Sequence, residues 1–185
     1  MAEASETYYS ELGRMVFSPD GDIAYVAKKG EKQVVVWNGH EGPEFDRIVF
    51  ISFVSKPAPA EGYNADSRNN PNPGQMLIYI GQNGKQEFLV VDGVQSEQGY
   101  QKISFGGVLG DGRLYYTVQD SQGVAVVIGD NISPFYENIW SLMSFPDNQH
   151  IAYWASTKEN SFVVIDTVQG QAYDKIVDLG KLSRY

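Results

Sequence analysis

Residues 17–39 read FSPDGDIAYVAKKGEKQVVVWNG. Two turn signals, Ser18-Pro19-Asp20-Gly21 and Asn38-Gly39, bracket two short apolar runs rich in β-branched residues. Pro presets the first turn dihedral, and Gly or Asn tolerates the positive φ that completes the turn. Asn-Gly suits a two-residue type I′ hairpin. The stretch therefore predicts strands joined by tight turns. Whether it is a lone pair of hairpins or one copy of a repeated unit decides the fold.

The pattern recurs three more times, as a repeat architecture requires. The copies are IAYVAKKGEKQVVVWNGHEGPEFDRI (23–48), LIYIGQNGKQEFLVVDGVQSEQGYQKI (77–103), LYYTVQDSQGVAVVIGDNISPFYENI (114–139) and IAYWASTKENSFVVIDTVQGQAYDKI (151–176). Each has a tyrosine in its first apolar run: Tyr25, Tyr79, Tyr116 and Tyr153. Each ends on aromatic-x-x-Ile, beginning at Phe45, Tyr100, Tyr136 and Tyr173. Tyr79 to Tyr116 and Tyr116 to Tyr153 are both 37 positions. Ahead of each tyrosine, Phe17, Phe53, Val108 and Phe145 align as the end of a further apolar strand. Turns follow it at SPDG (18–21), LGDG (109–112) and FPDN (145–148). The second turns are Asn38-Gly39, Asp92-Gly93, Gly129-Asp130 and Asp166-Thr167, the last two being poorer type I′ matches. Four antiparallel strands in about 40 residues is the unit of a β-propeller blade. The expected fold is all-β, a propeller of four four-stranded blades in one domain, either closed into a small ring by its two terminal strands or forming part of an incomplete or composite ring. The repeats run over about 14–48, 49–103, 104–139 and 140–176, with terminal strands at 8–13 and 177–185.

FSPDGDIAYVAKKGEKQVVVWNG resembles the TolB-type, WD-like β-propeller repeat, marked by Ser-Pro-Asp-Gly between its first two strands. HEGPEFDRI (40–48) is similar to the fourth strand of bacterial members of that class. The likeness is strongest in copies one and four. It implies a propeller and leaves the task open, because one blade type serves many functions.

Composition narrows the task. A net charge of -9 over 185 residues disfavours a phosphate backbone as partner, and no basic patch offsets it. The longest apolar runs, such as IVFISFV (48–54), are too short to cross a membrane. There is no cysteine, which removes disulfides and thiolate metal sites. The start, MAEASETYYSEL, lacks the basic and apolar regions of a signal peptide, and composition leaves the compartment open.

Catalytic, cofactor and metal residues are not expected. Only His40 and His150 are available as imidazoles, and no Gly-x-Ser-x-Gly elbow occurs. The first-strand segments RMVFS, IVFISFV, SFGGVL and SLMSF contain no acid to serve a glycosidase. The Asp of SPDG reads as a turn former, since the alternating oxygen ligands of a calcium loop are missing. The repeated aromatics read as packing between blades. Trp37 aligns with Val91, Ile128 and Ile165 and reads as an ordinary strand position, and alternation turns Trp154 away from the Tyr153 side.

The one non-repeated feature is the insertion SKPAPAEGYNADSRNNPNPGQ (55–75), 17 positions longer than the repeat requires. A long polar loop on a rigid scaffold is a common seat of recognition, so Tyr63, Arg68, Asn69 and Asn70 are the candidate partner-binding residues. The reading these features support is a non-catalytic binding or scaffold module for a protein or peptide, without nucleic acid or membrane. The alternative is the accessory propeller of a larger hydrolase such as a serine peptidase, lacking its catalytic domain. The chain starts and stops out of phase with its blades, so homodimers through unpaired terminal strands are a further expectation.

Overall fold

The computed structural model describes residues 9–55 and 74–174. Among these residues there is no helix, and the strands form four four-stranded antiparallel sheets, each in sequence order. The fold is all-β, built of four blades of the propeller type. Blade 1 holds β1 (Glu11–Phe17), β2 (Ile23–Lys29), β3 (Lys32–Trp37) and β4 (His40–Glu41). Blade 2 holds β5 (Arg47–Ser55), β6 (Gln75–Asn83), β7 (Gln86–Val91) and β8 (Val94–Gln95). Blade 3 holds β9 (Lys102–Val108), β10 (Leu114–Asp120), β11 (Gly123–Ile128) and β12 (Asn131–Ile132). Blade 4 holds β13 (Asn138–Ser144), β14 (Ile151–Ser156), β15 (Ser161–Ile165) and β16 (Val168–Tyr173). The chain divides into two compact units, the first ending at Ile103 and the second starting at Ser104.

The turn chemistry repeats at atomic level. In blade 1, Gly21 N–H donates to Ser18 C=O with φ of 92°, and the Ser18 hydroxyl accepts from Asp22 N–H. Gly112 and Asn148 close the turns of blades 3 and 4 in the same way, donating to Leu109 and Phe145 C=O. Phe145 thus sits with Ser18 and Leu109 at the head of the turn, and its strand ends at Ser144. At the second turn, Asn38 and Gly39 both take positive φ, as do Asp92 and Gly93, so the type I′ reading holds in blades 1 and 2. In blades 3 and 4 only Gly129 and Asp166 do so, which is why Asp130 and Thr167 can follow them. The side chain at this position also caps the second strand. Asn38 Oδ1 accepts from Ile23 N–H, Asp92 Oδ1 from Leu77 N–H, and Asp166 Oδ1 from Ile151 N–H.

The aromatic-x-x-Ile ending straddles two blades. Its aromatic bridges back to the third strand, as Phe45 to Gln33, Tyr100 to Glu87 and Tyr136 to Val124. Its isoleucine already lies in the first strand of the next blade, as Ile48, Ile103 and Ile139 do. Gln33 Oε1 and the buried Glu87 Oε2 accept from Ile48 and Ile103 N–H, fixing that handover. Just beyond it, β1, β5 and β13 each carry a bulge, where one residue more than the partner strand offers is accommodated. Such bulges sharpen the strand's twist. β1 reaches back to Glu11, so residues 11–13 belong to the first strand of blade 1, which includes one acid, while the expected terminal strand at 177–185 lies outside the described residues.

Alternate residues along each strand face opposite sides of the blade. In the first unit, Ala24, Val26 and Val35 of blade 1 meet Leu77, Tyr79 and Val90 of blade 2. In the second unit, Tyr115, Val126 and Ile128 of blade 3 meet Ile151, Tyr153 and Val164 of blade 4. Within each interface the ending aromatic stands edge-on to the next tyrosine. Phe45 and Tyr79 have centroids 6.4 Å apart at 85°, and Tyr136 and Tyr153 6.5 Å apart at 71°. Tyr9 meets Tyr25 in the same way, at 6.4 Å and 84°. Gly81 makes room for Phe45, since a Cβ there would overlap the ring. The packing between blades read from the repeat holds for Phe45–Tyr79 and Tyr136–Tyr153, whereas Tyr25 packs with Tyr9 on blade 1 itself and Tyr173 is exposed at the end of β16. Trp154 faces away from Tyr153, stacked edge-on against Trp140.

Asp166 also holds His150, with Nδ1 and Oδ2 2.7 Å apart. This hydrogen bond, and the charge behind it, raise the His150 pKa above its ordinary value. A raised folded-state pKa contributes stability below the unfolded value of about 6.5, lost as pH rises through the folded value. Asp166→Asn should keep the strand cap, as Asn38 does in blade 1, and remove the shift. An NMR titration of His150 should show a pKa above 6.5 in the parent protein and a lower one in the variant. An unchanged pKa would rule out the pairing.

A cleft between blades 1 and 2

Within the first unit, the second-turn end of blades 1 and 2 encloses a cleft of about 470 Å3. Blade 1 supplies Val35, Trp37, Asn38, His40, Glu41 and Gly42, and blade 2 supplies Leu77, Tyr79, Asp92 and Gly93. The type I′ turns place these residues: each hairpin brings the strand ahead of it and the residues behind it to one rim. Val35 and Leu77 make an apolar floor, both almost wholly buried.

Two polar atoms of the lining stand out. Tyr79 is 1% exposed, yet its hydroxyl has no hydrogen-bond partner among the described residues. Trp37 Nε1 is buried in the same condition, with the ring edge-on to Phe53. Burial pushes the Tyr79 phenol far above its usual range, so it stays protonated. Native proteins rarely bury polar groups without partners, and each exception asks for an explanation.

The repeat shows how this corner differs from its equivalents. Blades 2 and 3 carry serine at the position of Gly42. Ser96 Oγ accepts from Leu89 N–H, and Ser133 Oγ from Val126 N–H. Gly42 keeps the backbone half of that motif, donating N–H to Val35 C=O, and offers no hydroxyl. Its missing side chain is what admits Tyr79, because a Cβ on Gly42 would overlap the tyrosine oxygen. Tyr153 in the second unit lies near Ser133, in a cluster that holds the buried Ile128 at the position of the indole.

The rim is electrostatically set. Glu41 Oε2 pairs with Lys29 Nζ at 2.6 Å, and Oε1 accepts from the Tyr9 hydroxyl at 2.9 Å. Lys29 and then Tyr9 hold the Glu41 pKa below the usual carboxylate range, so it is ionised near neutrality and is a poor proton donor. Burial and Glu41 push the Tyr9 phenol up to about 12. Asn38 is occupied as a strand cap and as donor to Asp22. The cleft thus presents aromatic and apolar surface and a negative rim, and Tyr79 and Trp37 of its lining each hold a buried donor without a partner.

The four residues read from sequence as partner-binding, Tyr63, Arg68, Asn69 and Asn70, lie outside the described residues. The insertion's ends are described: Ser55 pairs with Gln75 across β5 and β6, at the same end of blade 2 as Asp92-Gly93. Trp37, read as an ordinary strand residue, and Gly42, not singled out, prove to shape the cleft. The legible signal was comparative. Trp37 is the indole among Val91, Ile128 and Ile165, and Gly42 stands against two serines. His40 opens β4 on the cleft's rim, whereas His150 sits apart with Asp166. Among the described residues, no group of three or more His, Asp or Glu is placed to hold a metal.

No protein-family model matches the chain, and no curated protein or solved structure matches it either.

Gly42→Ser should destabilise by about 1–3 kcal/mol, as overpacking does, because its Cβ meets the Tyr79 hydroxyl. Tyr79→Phe alone should be neutral or stabilising, since it removes a buried hydroxyl without a partner. Combined, the two should recover most of the loss. Urea denaturation of the four proteins tests this, and simple additivity would show that the two positions do not meet.

Proposed function

We propose that the chain is a non-catalytic binding module, of the TolB-like propeller class, that receives a protein or peptide segment in the cleft between blades 1 and 2. The observation that carries this reading is the pairing of an open cleft with buried, unpartnered Tyr79 and Trp37 donors. A module that kept these groups only for stability would gain by losing them. Supporting it, the insertion between Ser55 and Gln75 departs from the cleft's own end of blade 2. Aromatic anchors beside a pocket are also what protein partners use most.

The test is selection from a random displayed-peptide library on the intact chain, followed by affinity measurement on Trp37→Ile. Isoleucine stands at this position in blades 3 and 4, so the variant should still fold, with a melting temperature lowered by the lost contact with Phe53. Selected peptides should bind it about tenfold more weakly or worse. Failure to select any peptide, or equal binding to the variant, would refute the assignment.

A further inference from the structure

We infer that the chain associates with a second copy of itself, the exposed face of blade 4 in one copy covering the exposed face of blade 1 in the other. The surfaces are the flat sides of two sheets, not strand edges, and neither of them lines the cleft.

The two buried interfaces follow one rule. Ala24, Val26 and Val35 of blade 1 meet Leu77, Tyr79 and Val90 of blade 2. Tyr115, Val126 and Ile128 of blade 3 meet Ile151, Tyr153 and Val164 of blade 4. Each time the rear of one blade, which carries the ending aromatic, receives the front of the next, which carries the repeat tyrosine. The sheet registers fill in the front of blade 1 and the rear of blade 4, because directly paired residues of antiparallel strands share a face. On blade 1, Met15 lies opposite Tyr25, Phe17 opposite Ile23, and Leu12 opposite Ala27. On blade 4, Ala152 lies between Met143 and Ile165, Trp154 between Trp140 and Val163, and Val168 opposite Ile165. Tyr173 stands opposite Ser161, the place from which Phe45 and Tyr136 reach the next tyrosine.

Exposed apolar side chains gather on these two faces. Of the twelve large hydrophobic side chains exposed among the described residues, four lie on the front of blade 1: Leu12, Met15, Phe17 and Ile23. Five more lie on the rear of blade 4: Met143, Val163, Ile165, Val168 and Tyr173. Single exposed hydrophobics need no explanation, but a contiguous face of them marks an interaction surface. The fold itself states what covers such a face, since a rear takes a front. One of each is open here, so a second copy supplies the complement of both. Charge permits the meeting. Copies of net charge -9 repel each other, yet β13 to β16 contain no charged residue. Tyr9 already stands against Tyr25, so the part of blade 1 to be covered is the first-strand side around Phe17.

A front-to-rear contact uses two different patches, which gives it a signature that a symmetric contact lacks. Phe17→Glu spoils every front, and Ile165→Glu every rear. Phe17 is 64% exposed and Ile165 44%, so both variants should keep the fold, which the 15N–1H spectrum of each checks. In sedimentation velocity the parent chain should run as a dimer or larger. Each variant alone should run as a monomer, its association weakened at least about tenfold by a charge placed on the covered apolar face. Mixed in equal amounts, the two should recover a one-to-one pair. The Phe17→Glu copy still offers an intact rear, and the Ile165→Glu copy an intact front. A parent that stays monomeric up to about 0.1 mM overturns the inference. A variant that associates normally on its own does so too, since the contact would then need only one of the patches, and so does a mixture that stays monomeric.

Discussion

An aromatic ring at the end of one blade, set edge-on against a tyrosine in the second strand of the next, is the contact on which the structure depends. A four-stranded antiparallel sheet is amphipathic on both faces here, and neither face is stable in water alone. Each blade must be covered by its neighbour. Phe45 on Tyr79 and Tyr136 on Tyr153 provide that cover in the two units, with fully buried aliphatic side chains packed around them. The geometry is the edge-to-face one that aromatic quadrupoles prefer. The chain's own course enforces it. The aromatic bridges to the third strand, and three residues later an isoleucine starts the next blade, so the two rings are brought together by a short tether.

The cleft follows from the same contact. Phe45 occupies the space that Gly81 leaves, and Tyr79 is held upright between Phe45 and the β-strands around it. A tyrosine so held must put its hydroxyl somewhere. In blade 1 that place is beside Gly42, at a position where blades 2 and 3 carry serine and blade 4 glycine. Packing thus buries a polar atom without a partner next to the candidate cleft, where Gly42 and Trp37 stand in place of the serine and aliphatic residue of blades 2 and 3. The device that makes the core also aims the candidate site.

The architecture was legible in the sequence because its signals are local and repeated. Pro-Asp-Gly and Asn-Gly impose backbone dihedrals whatever surrounds them, and the structure returns those dihedrals at Gly21, Asn38, Gly39, Asp92 and Gly93. The spacing of Tyr79, Tyr116 and Tyr153 reports the blade period directly. Other features were not legible because they depend on neighbours. The bulges in β1, β5 and β13 arise from pairing, since no single residue type marks all three. Tyr173 matches the motif of the other ending aromatics, yet its environment leaves it exposed. Trp37 looked like one more strand residue until its nitrogen was found without a partner. Gly42 carries no signal of its own, and its meaning lies in the tyrosine oxygen that approaches it. The insertion leaves and rejoins blade 2 at the end where the cleft lies, and Tyr63, Arg68, Asn69 and Asn70 themselves fall outside the described residues.

The central claim is that the ending aromatic and the next tyrosine act together in joining blades. A double-mutant cycle on Phe45→Leu and Tyr79→Leu, read by equilibrium urea denaturation, measures that coupling directly. If the rings hold the blades to each other, each single change should be strongly destabilising. The pair should then fall short of additivity by about 0.5–1.5 kcal/mol, the worth of an edge-to-face contact beyond its buried area. Losses that add to within about 0.3 kcal/mol would show that the two rings contribute independently, and the account of how the blades are joined would be contradicted.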